Sequence, residues 1–349
     1  MSAGPIAASL CVAGRDLVEP RPSPDGRWVL FGTRAEGRNS LVLVPSAGGP
    51  ERIVAADPSP SLGRGLGGGA FCWLPDSSGF VYSGEGQVWL HGLDGAQRRL
   101  SDVEPGRDVQ SPVVSSDGRW VAFTVDLAAV HVVPFDTALG SAVVFTSHDF
   151  VMDPAWVESS SLSWVGWDVP HMPWDSSSVV RGDLETRTWS TVVADHHERA
   201  LTSVQQAQCV DGVWWYVRDT GGWLNVHRNG TAVLDERFEH AGPSWGPGQR
   251  SYAVSPDGRR VAIHRNESGF GRLLVVDLDA AGSAAAVHEI GRGVHAQLHW
   301  VGNTITALRT GGRTPTQVVT YNEQGDGSWV RSVLAVGPAA EWTAREHHL

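Results

Sequence analysis

One phrase recurs along this chain of 349 residues: a short hydrophobic strand, a polar turn, then a second hydrophobic strand. It reads PRPSPDGRWVLF at 20–31, FCWLPDSSGFVYS at 71–83, PVVSSDGRWVAFTVD at 112–126 and PAWVESSSLSWVGWD at 154–168. It continues as QAQCVDGVWWYVRD at 206–219, YAVSPDGRRVAIHR at 252–265 and, more degenerate, LHWVGNTITALRT at 298–310. The turn residues Asp25, Asp76, Asp117, Ser159, Asp211, Asp257 and Asn303 lie roughly 40–55 residues apart, the period of a four-stranded propeller blade. Asp-Gly pairs at 25–26, 117–118, 211–212 and 257–258 supply the positive φ that a tight hairpin needs. Further short strands between the copies, such as SLVLVPSAG and RLLVVDLD, complete each blade. The expectation is an all-β, seven-bladed β-propeller of four-stranded antiparallel blades. It forms one domain over 1–349, with blades from about 15 to 335 and a short segment at each end.

Composition narrows the function classes. The net charge of −11 argues against a broad basic surface for nucleic acid or an anionic membrane. No apolar run approaches the roughly 18–20 residues of a membrane span. The start, MSAGPIAASLCVAG, has no Lys or Arg before its apolar part, unlike a signal peptide. Cys11, Cys72 and Cys209 are few, odd in number and widely spaced, which fits reduced thiols rather than a disulfide framework or a zinc site. A cytoplasmic location is expected, with no cofactor and no metal. Abundant Ala, Gly, Arg and Val with no Lys suggests a GC-rich bacterium such as an actinomycete.

Particular stretches resemble the propeller domain of the prolyl oligopeptidase family, in its dipeptidyl aminopeptidase/acylaminoacyl-peptidase branch. They run in order: EPRPSPDGRWVLF, GGGAF (67–71), HDFVMDPAW (148–156), LSWVGWDVPHMPWD (162–175), SVQQAQCVDGVWWYVRDTGGWLNVHR (203–228) and FEHAGPSWGPGQRSYAV (238–254). The resemblance implies a following α/β-hydrolase domain that carries Ser, Asp and His. The chain to Leu349 leaves no room for one, so the expectation is a propeller without serine hydrolase activity. Gly242-Pro-Ser-Trp-Gly246 matches the G-x-S-x-G string. Pro243 before Ser244 and the turn-and-strand pattern after it do not suit a nucleophile elbow, which needs a strand before and a helix after. The family often has His-Glu-Tyr before its glycine run; Arg64-Gly65-Leu66 stands there instead, so an acid that would face a peptide amine is missing.

Propellers bind ligands at the mouths of their central channel. Aligning the repeats on their turns places Glu19, Ala70, Ser111, Asp153, Gln205, Ser251 and Gln297 at equivalent positions near the start of the inner strand. Two residues on, and so on the same side of the strand, come Arg21, Cys72, Val113, Ala155, Ala207, Ala253 and His299. The candidate catalytic groups are Glu19, Asp153 and His299. Candidate ligand-binding groups are Arg21, Ser111, Gln205, Ser251, Gln297 and, in the DVPHMPWD loop, His171. Such a set suits a zwitterionic, amino-acid-like ligand, with Arg21 pairing an anion and His299 or a carboxylate acting as base. The plainer alternative is a set of polar residues that solvate a water-filled hole. His295 and His299 form an H-x-x-x-H pair on one strand, a weak metal pattern in a β context. His196–His197 and His347–His348 read as solvated, and the tryptophans as packing between blades.

Three functional expectations follow. One is a free-standing propeller that binds and transforms a small amino-acid-derived molecule by lyase, cyclase or isomerase chemistry in bacterial specialised metabolism, with or without a small partner protein. The second is a non-catalytic scaffold for a peptide or protein. The third is the propeller half of a split peptidase.

Overall fold

A computed structural model describes residues 14–63, 67–136, 142–193, 202–219 and 221–337. Cys11, Arg64-Gly65-Leu66, His196–His197 and His347–His348 lie outside these residues. The chain forms seven four-stranded antiparallel sheets, each built from four consecutive strands. Blades 1 to 7 occupy 15–55, 71–99, 109–145, 150–193, 204–232, 252–292 and 294–336. The described residues contain no α-helix, and none of their segments is a helix long and apolar enough to cross a membrane.

The repeated turn explains the repeated hairpin. In blade 1 the Ser23 hydroxyl donates to Asp25 Oδ1 at 2.5 Å and accepts from the Trp28 N–H at 3.0 Å. Asp25 also accepts from the Arg27 N–H at 3.1 Å, and Gly26 takes φ 71°. Ser115–Asp117–Gly118 and Ser255–Asp257–Gly258 repeat this pattern. The hydroxyl bonds hold the carboxyls of Asp25, Asp117 and Asp257 below the usual carboxylate range. Only glycine takes such a φ without a Cβ penalty, so serine, aspartate and glycine act together in each turn.

Alternation then builds the core. Along the second strand of blade 1 (Trp28–Ala35), Leu30 packs toward blade 2, with Phe71, Phe80 and Tyr82. Its neighbours Val29 and Phe31 face blade 7, with Leu308, Val318 and Leu334. Each of the seven clusters of buried apolar residues lies between two adjacent blades, so the core consists of seven radial slabs. Burying each large side chain contributes about 1.5–3 kcal/mol. Trp164 and Trp215 sit in these slabs at 1% exposure, as expected of propeller tryptophans, whereas Trp245 is 76% exposed. Among the described residues no strand is exchanged between the first and last blades. The ring closes through their slab, through the Arg15 N–H bonded to the Gly337 carbonyl at 3.1 Å, and through the Arg15 guanidinium, which donates to the Val336 carbonyl at 3.2 Å.

Candidate functional site: a channel closed at one mouth

The first strand of each blade lines the axis. In five blades it carries a two-residue bulge whose first member is a non-glycine residue at positive φ: Glu19, Ser111, Asp153, Gln206 and Gln297, at 50–55°. Each such residue costs of order 1 kcal/mol, and bulges of this kind re-aim side chains next to sites. Ala70 and Ser251 complete the ring from the three-residue inner strands of blades 2 and 6. All seven are buried.

One sequence assignment needs correction. The ring residue of blade 5 is Gln206, not Gln205, and two residues on stands Gln208, not Ala207. The blade 5 turn is a tight hairpin in which Val210 pairs with Val213, so Asp211 is its first turn residue. In blade 7, Val301 pairs with Thr304 and Asn303 is the second. Aligning on the polar turn residue therefore slips by one. Gln205 is fully buried, donating to the Ser203 hydroxyl at 2.8 Å and accepting from Ser244. That bond also engages the hydroxyl of Gly242-Pro-Ser-Trp-Gly246, which lies in an irregular loop with no helix after it.

The first ring fastens a plug. Glu19 accepts the N–H groups of Gly69 and Ala70, both at 2.8 Å, and pairs with the Arg21 guanidinium. Asp153 accepts the Gly248 N–H at 2.6 Å, and Gln297 Nε2 donates to the Gly248 carbonyl at 2.7 Å. Ser111 N–H bonds the Gly69 carbonyl at 2.7 Å. The two loops so held, 67–70 and 246–250, meet across the axis, where the Gly68 N–H donates to the Pro247 carbonyl at 2.9 Å. Gln206 Oε1 accepts from both the N–H and hydroxyl of Ser251. Burial raises the pKa of Glu19 and of Asp153, opposed by Arg21 at the first and by Arg250 at the second.

Past the plug, the second ring is Arg21, Cys72, Val113, Ala155, Gln208, Ala253 and His299. All but Ala253 keep some solvent exposure, so the channel is blind at the plug and open toward the Asp-Gly turns. His299 is held neutral: burial first, then Arg21 and Arg250, push its pKa well down. Burial raises the Cys72 thiol, so it stays protonated near neutral pH. Arg21 Nε, Arg250 Nη1 and His299 Nε2 are buried atoms with no hydrogen-bond partner among the described residues. Buried polar atoms of this kind are rare in folded proteins, and three of them stand around one channel.

Arg250 was not among the sequence candidates. A signal existed: at the positions just before the seven ring residues stand Val18, Gly69, Gln110, Met152, Gln205, Arg250 and Ala296, and only one is charged. His171, by contrast, lies in the loop between the second and third strands of blade 4, away from the inner strand, with its N–H on the Asp168 carbonyl at 3.1 Å. In that loop Trp174 packs on Trp245 of the plug loop, ring centroids 4.4 Å apart.

His295 and His299 do not share a face, because the bulge at Gln297 between them inverts the alternation. His295 turns toward Tyr321, with Nε2 2.7 Å from its hydroxyl and Nδ1 2.9 Å from the Gly293 carbonyl. No metal-binding cluster occurs among the described residues. Burial lowers His264 to about 4 and His295 to about 3. Both are neutral when folded and protonate near 6.5 when unfolded. The unfolded state thus binds more protons between these limits, and stability falls as pH drops from 6.5 toward 3. Urea midpoints at stepped pH are expected to show this decline, and His295→Asn is expected to flatten it.

No protein-family model matches the chain. An uncharacterised protein of Agrobacterium fabrum (Atu1656) is 34% identical over 107 residues, which is 29% of this chain and 33% of that protein. Among solved structures, a Mycobacterium tuberculosis puromycin-hydrolysing peptidase superposes with a TM-score of 0.79 at 21% identity over 96% of this chain. A puromycin hydrolase follows at 0.78 and 20% over 97%. The chain spans 56% of the length of each of these peptidases. An oligogalacturonate lyase from Vibrio parahaemolyticus gives 0.64 at 11% identity, covering 91% of this chain and 92% of that one. The expected resemblance to peptidase propellers holds at the level of the fold: the chain has the seven-bladed propeller fold seen in these peptidases.

Proposed function

We propose that the blind channel binds a small carboxylate-bearing, amino-acid-derived molecule and transforms it by acid–base chemistry of the lyase, cyclase or isomerase type. One observation carries the reading: two guanidinium groups and a neutral imidazole converge on one channel, each with a buried nitrogen that has no hydrogen-bond partner among the described residues. Arg21 and Arg250 grip the carboxylate and stabilise charge that builds on it, and His299 takes the proton from the adjacent carbon. Glu19 and Asp153, which hold the plug, preorganise the site and do not act as bases. The oligogalacturonate lyase offers a parallel, a propeller over nearly its whole length.

Calorimetric titration with a panel of amino acids and N-acyl amino acids tests the reading. A ligand that binds the wild type is expected to lose about 10–100-fold in affinity on Arg21→Met, the worth of a charge-assisted hydrogen bond. His299→Asn is expected to keep binding and lose turnover. Equal affinity in the wild type and Arg21→Met would remove the channel from consideration.

A second reading rests on the opposite mouth. Trp245 at 76%, Val169 at 65% and Met172 at 44% exposure form an apolar patch over the plug, with Trp174 beneath. Such a patch suits a protein partner, in a scaffold or a split peptidase. Under that reading the Arg21 variant changes nothing, while Trp245→Asp abolishes co-purification of the partner.

A further inference from the structure

Two loops from different blades meet on the outer face of the plug. One, at 168–177, joins the second and third strands of blade 4; the other, at 238–250, leads from blade 5 into blade 6. Trp174 of the first packs on Trp245 of the second. The exposed side chains there, Val169, Met172 and Trp245, are apolar, and they are held in place. The Trp245 N–H donates to the Pro243 carbonyl at 3.0 Å, and the neighbouring Ser244 hydroxyl is bonded to Gln205. Ser177 Oγ donates to the Pro173 carbonyl at 2.9 Å, and Pro170, Pro173, Pro243 and Pro247 stiffen both loops. Apolar groups ordered in advance lose little entropy when a partner covers them.

The rim of this patch is acidic. Asp149, Asp168 and Asp175 are all exposed. Asp149 Oδ2 accepts the Val169 N–H at 3.0 Å, Asp168 Oδ1 the Asp149 N–H at 2.8 Å, and Asp175 Oδ2 the Met172 N–H at 3.1 Å. These bonds fix the three carboxylates to the backbone beside Val169 and Met172. No Arg or Lys occurs at 147–178 or 238–249 to offset them. The next arginine along the chain, Arg181, is paired with Glu158 at 3.3 Å. Such a surface repels anionic lipid headgroups, and it repels a second copy of itself. It complements a polypeptide that carries cations around an apolar anchor.

On the reading of this mouth as a partner surface, we propose that its occupant is a basic polypeptide segment. Apolar side chains of the segment seat on Trp245, Val169 and Met172, and its Lys or Arg side chains pair with Asp149, Asp168 and Asp175. The surface works in this way whether or not the channel is catalytic.

Selection of short random peptides, displayed on phage, against the full chain tests it. Enriched peptides are expected to combine apolar residues with Lys or Arg and to lose binding to Trp245→Ala. Their affinity is expected to fall about tenfold in the triple variant Asp149→Asn, Asp168→Asn, Asp175→Asn, the worth of three exposed charge pairs together. Asparagine keeps an oxygen for each backbone N–H, so the loops stay in place. Raising salt from about 0.05 M to about 0.5 M is expected to weaken the wild type similarly and the triple variant little. Peptides that depend on Trp245 but are neutral or acidic, or that bind the triple variant equally well, leave a partner surface and overturn its basic occupant. Absence of any Trp245-dependent peptide removes the partner surface itself. A concentration-dependent dimer in sedimentation, lost in Trp245→Ala, puts a second copy on the patch and likewise overturns the proposal.

Discussion

Gly248→Ala is expected to destabilise the protein by about 3 kcal/mol in urea unfolding and to unseat the plug. Two costs add. Gly248 has a φ of 74°, where a Cβ is strained, and a Cβ built there would lie 2.2 Å from the Gly69 nitrogen and 2.3 Å from the Gly68 carbonyl carbon. Those are backbone atoms, pinned by Glu19, so neither can swing aside. The mutant chain must move one loop away from the axis, which breaks the Asp153 and Gln297 bonds to residue 248. Gly246→Ala is the matched control, because nothing lies within 4 Å of its Cβ position. Equal stability of the two variants would mean that the loops do not meet across the axis.

Glu19→Ala is the second large effect, expected at about 3–5 kcal/mol, the cost of breaking a buried ion pair from one side. The substitution leaves the N–H groups of Gly69 and Ala70 without an acceptor in a wholly buried position and strips Arg21 of its partner. Glu19→Gln is expected to fall between, since its amide oxygen serves one N–H while its amide nitrogen opposes the other. In the double variant Glu19→Ala with Arg21→Met, part of the loss should return, because no buried charge is left unpaired. Strict additivity in that cycle would argue against the ion pair. The sign with pH follows from the raised carboxyl pKa. Burial favours the protonated form of Glu19 more than the unfolded chain does, so this contribution to stability is full below the unfolded value near 4.3 and declines as pH rises through the folded value.

The fold was legible because its information is local. An Asp-Gly turn with a serine two residues before the aspartate specifies its own hairpin, and the alternation of Val29, Leu30 and Phe31 specifies which blade each side chain meets. The second ring was largely legible for the same reason, as period two carries a reading from Glu19 to Arg21 and from Gln297 to His299. What escaped depends on contacts between distant blades. Nothing local says that Glu19 of blade 1 and Asp153 of blade 4 spend their oxygens on loops from blades 2 and 6, at separations of about 50 and 95 residues in sequence. Those contacts change two supposed bases into fasteners. Arg250 escaped because it stands in a Pro-Gly loop outside every repeat, and Gln206 because a tight hairpin removes one residue from the count. Bulges shift registers without leaving a mark in hydrophobicity.

Because, among the described residues, no strand is shared between the first and last blades, every sheet is a contiguous length of chain. Each blade's hydrogen bonds can therefore be completed as that length leaves the ribosome, without waiting for a distant strand. Pairing of this sequence-near kind carries little loop-closure entropy and assembles quickly for an all-β protein. What must wait until the seventh blade has emerged is a single docking event, blade 7 against blade 1. That order of assembly leaves the first blade's apolar flank, with Val29, Phe31, Val42 and Val44, uncovered longest. It is the surface a chaperone has most reason to hold.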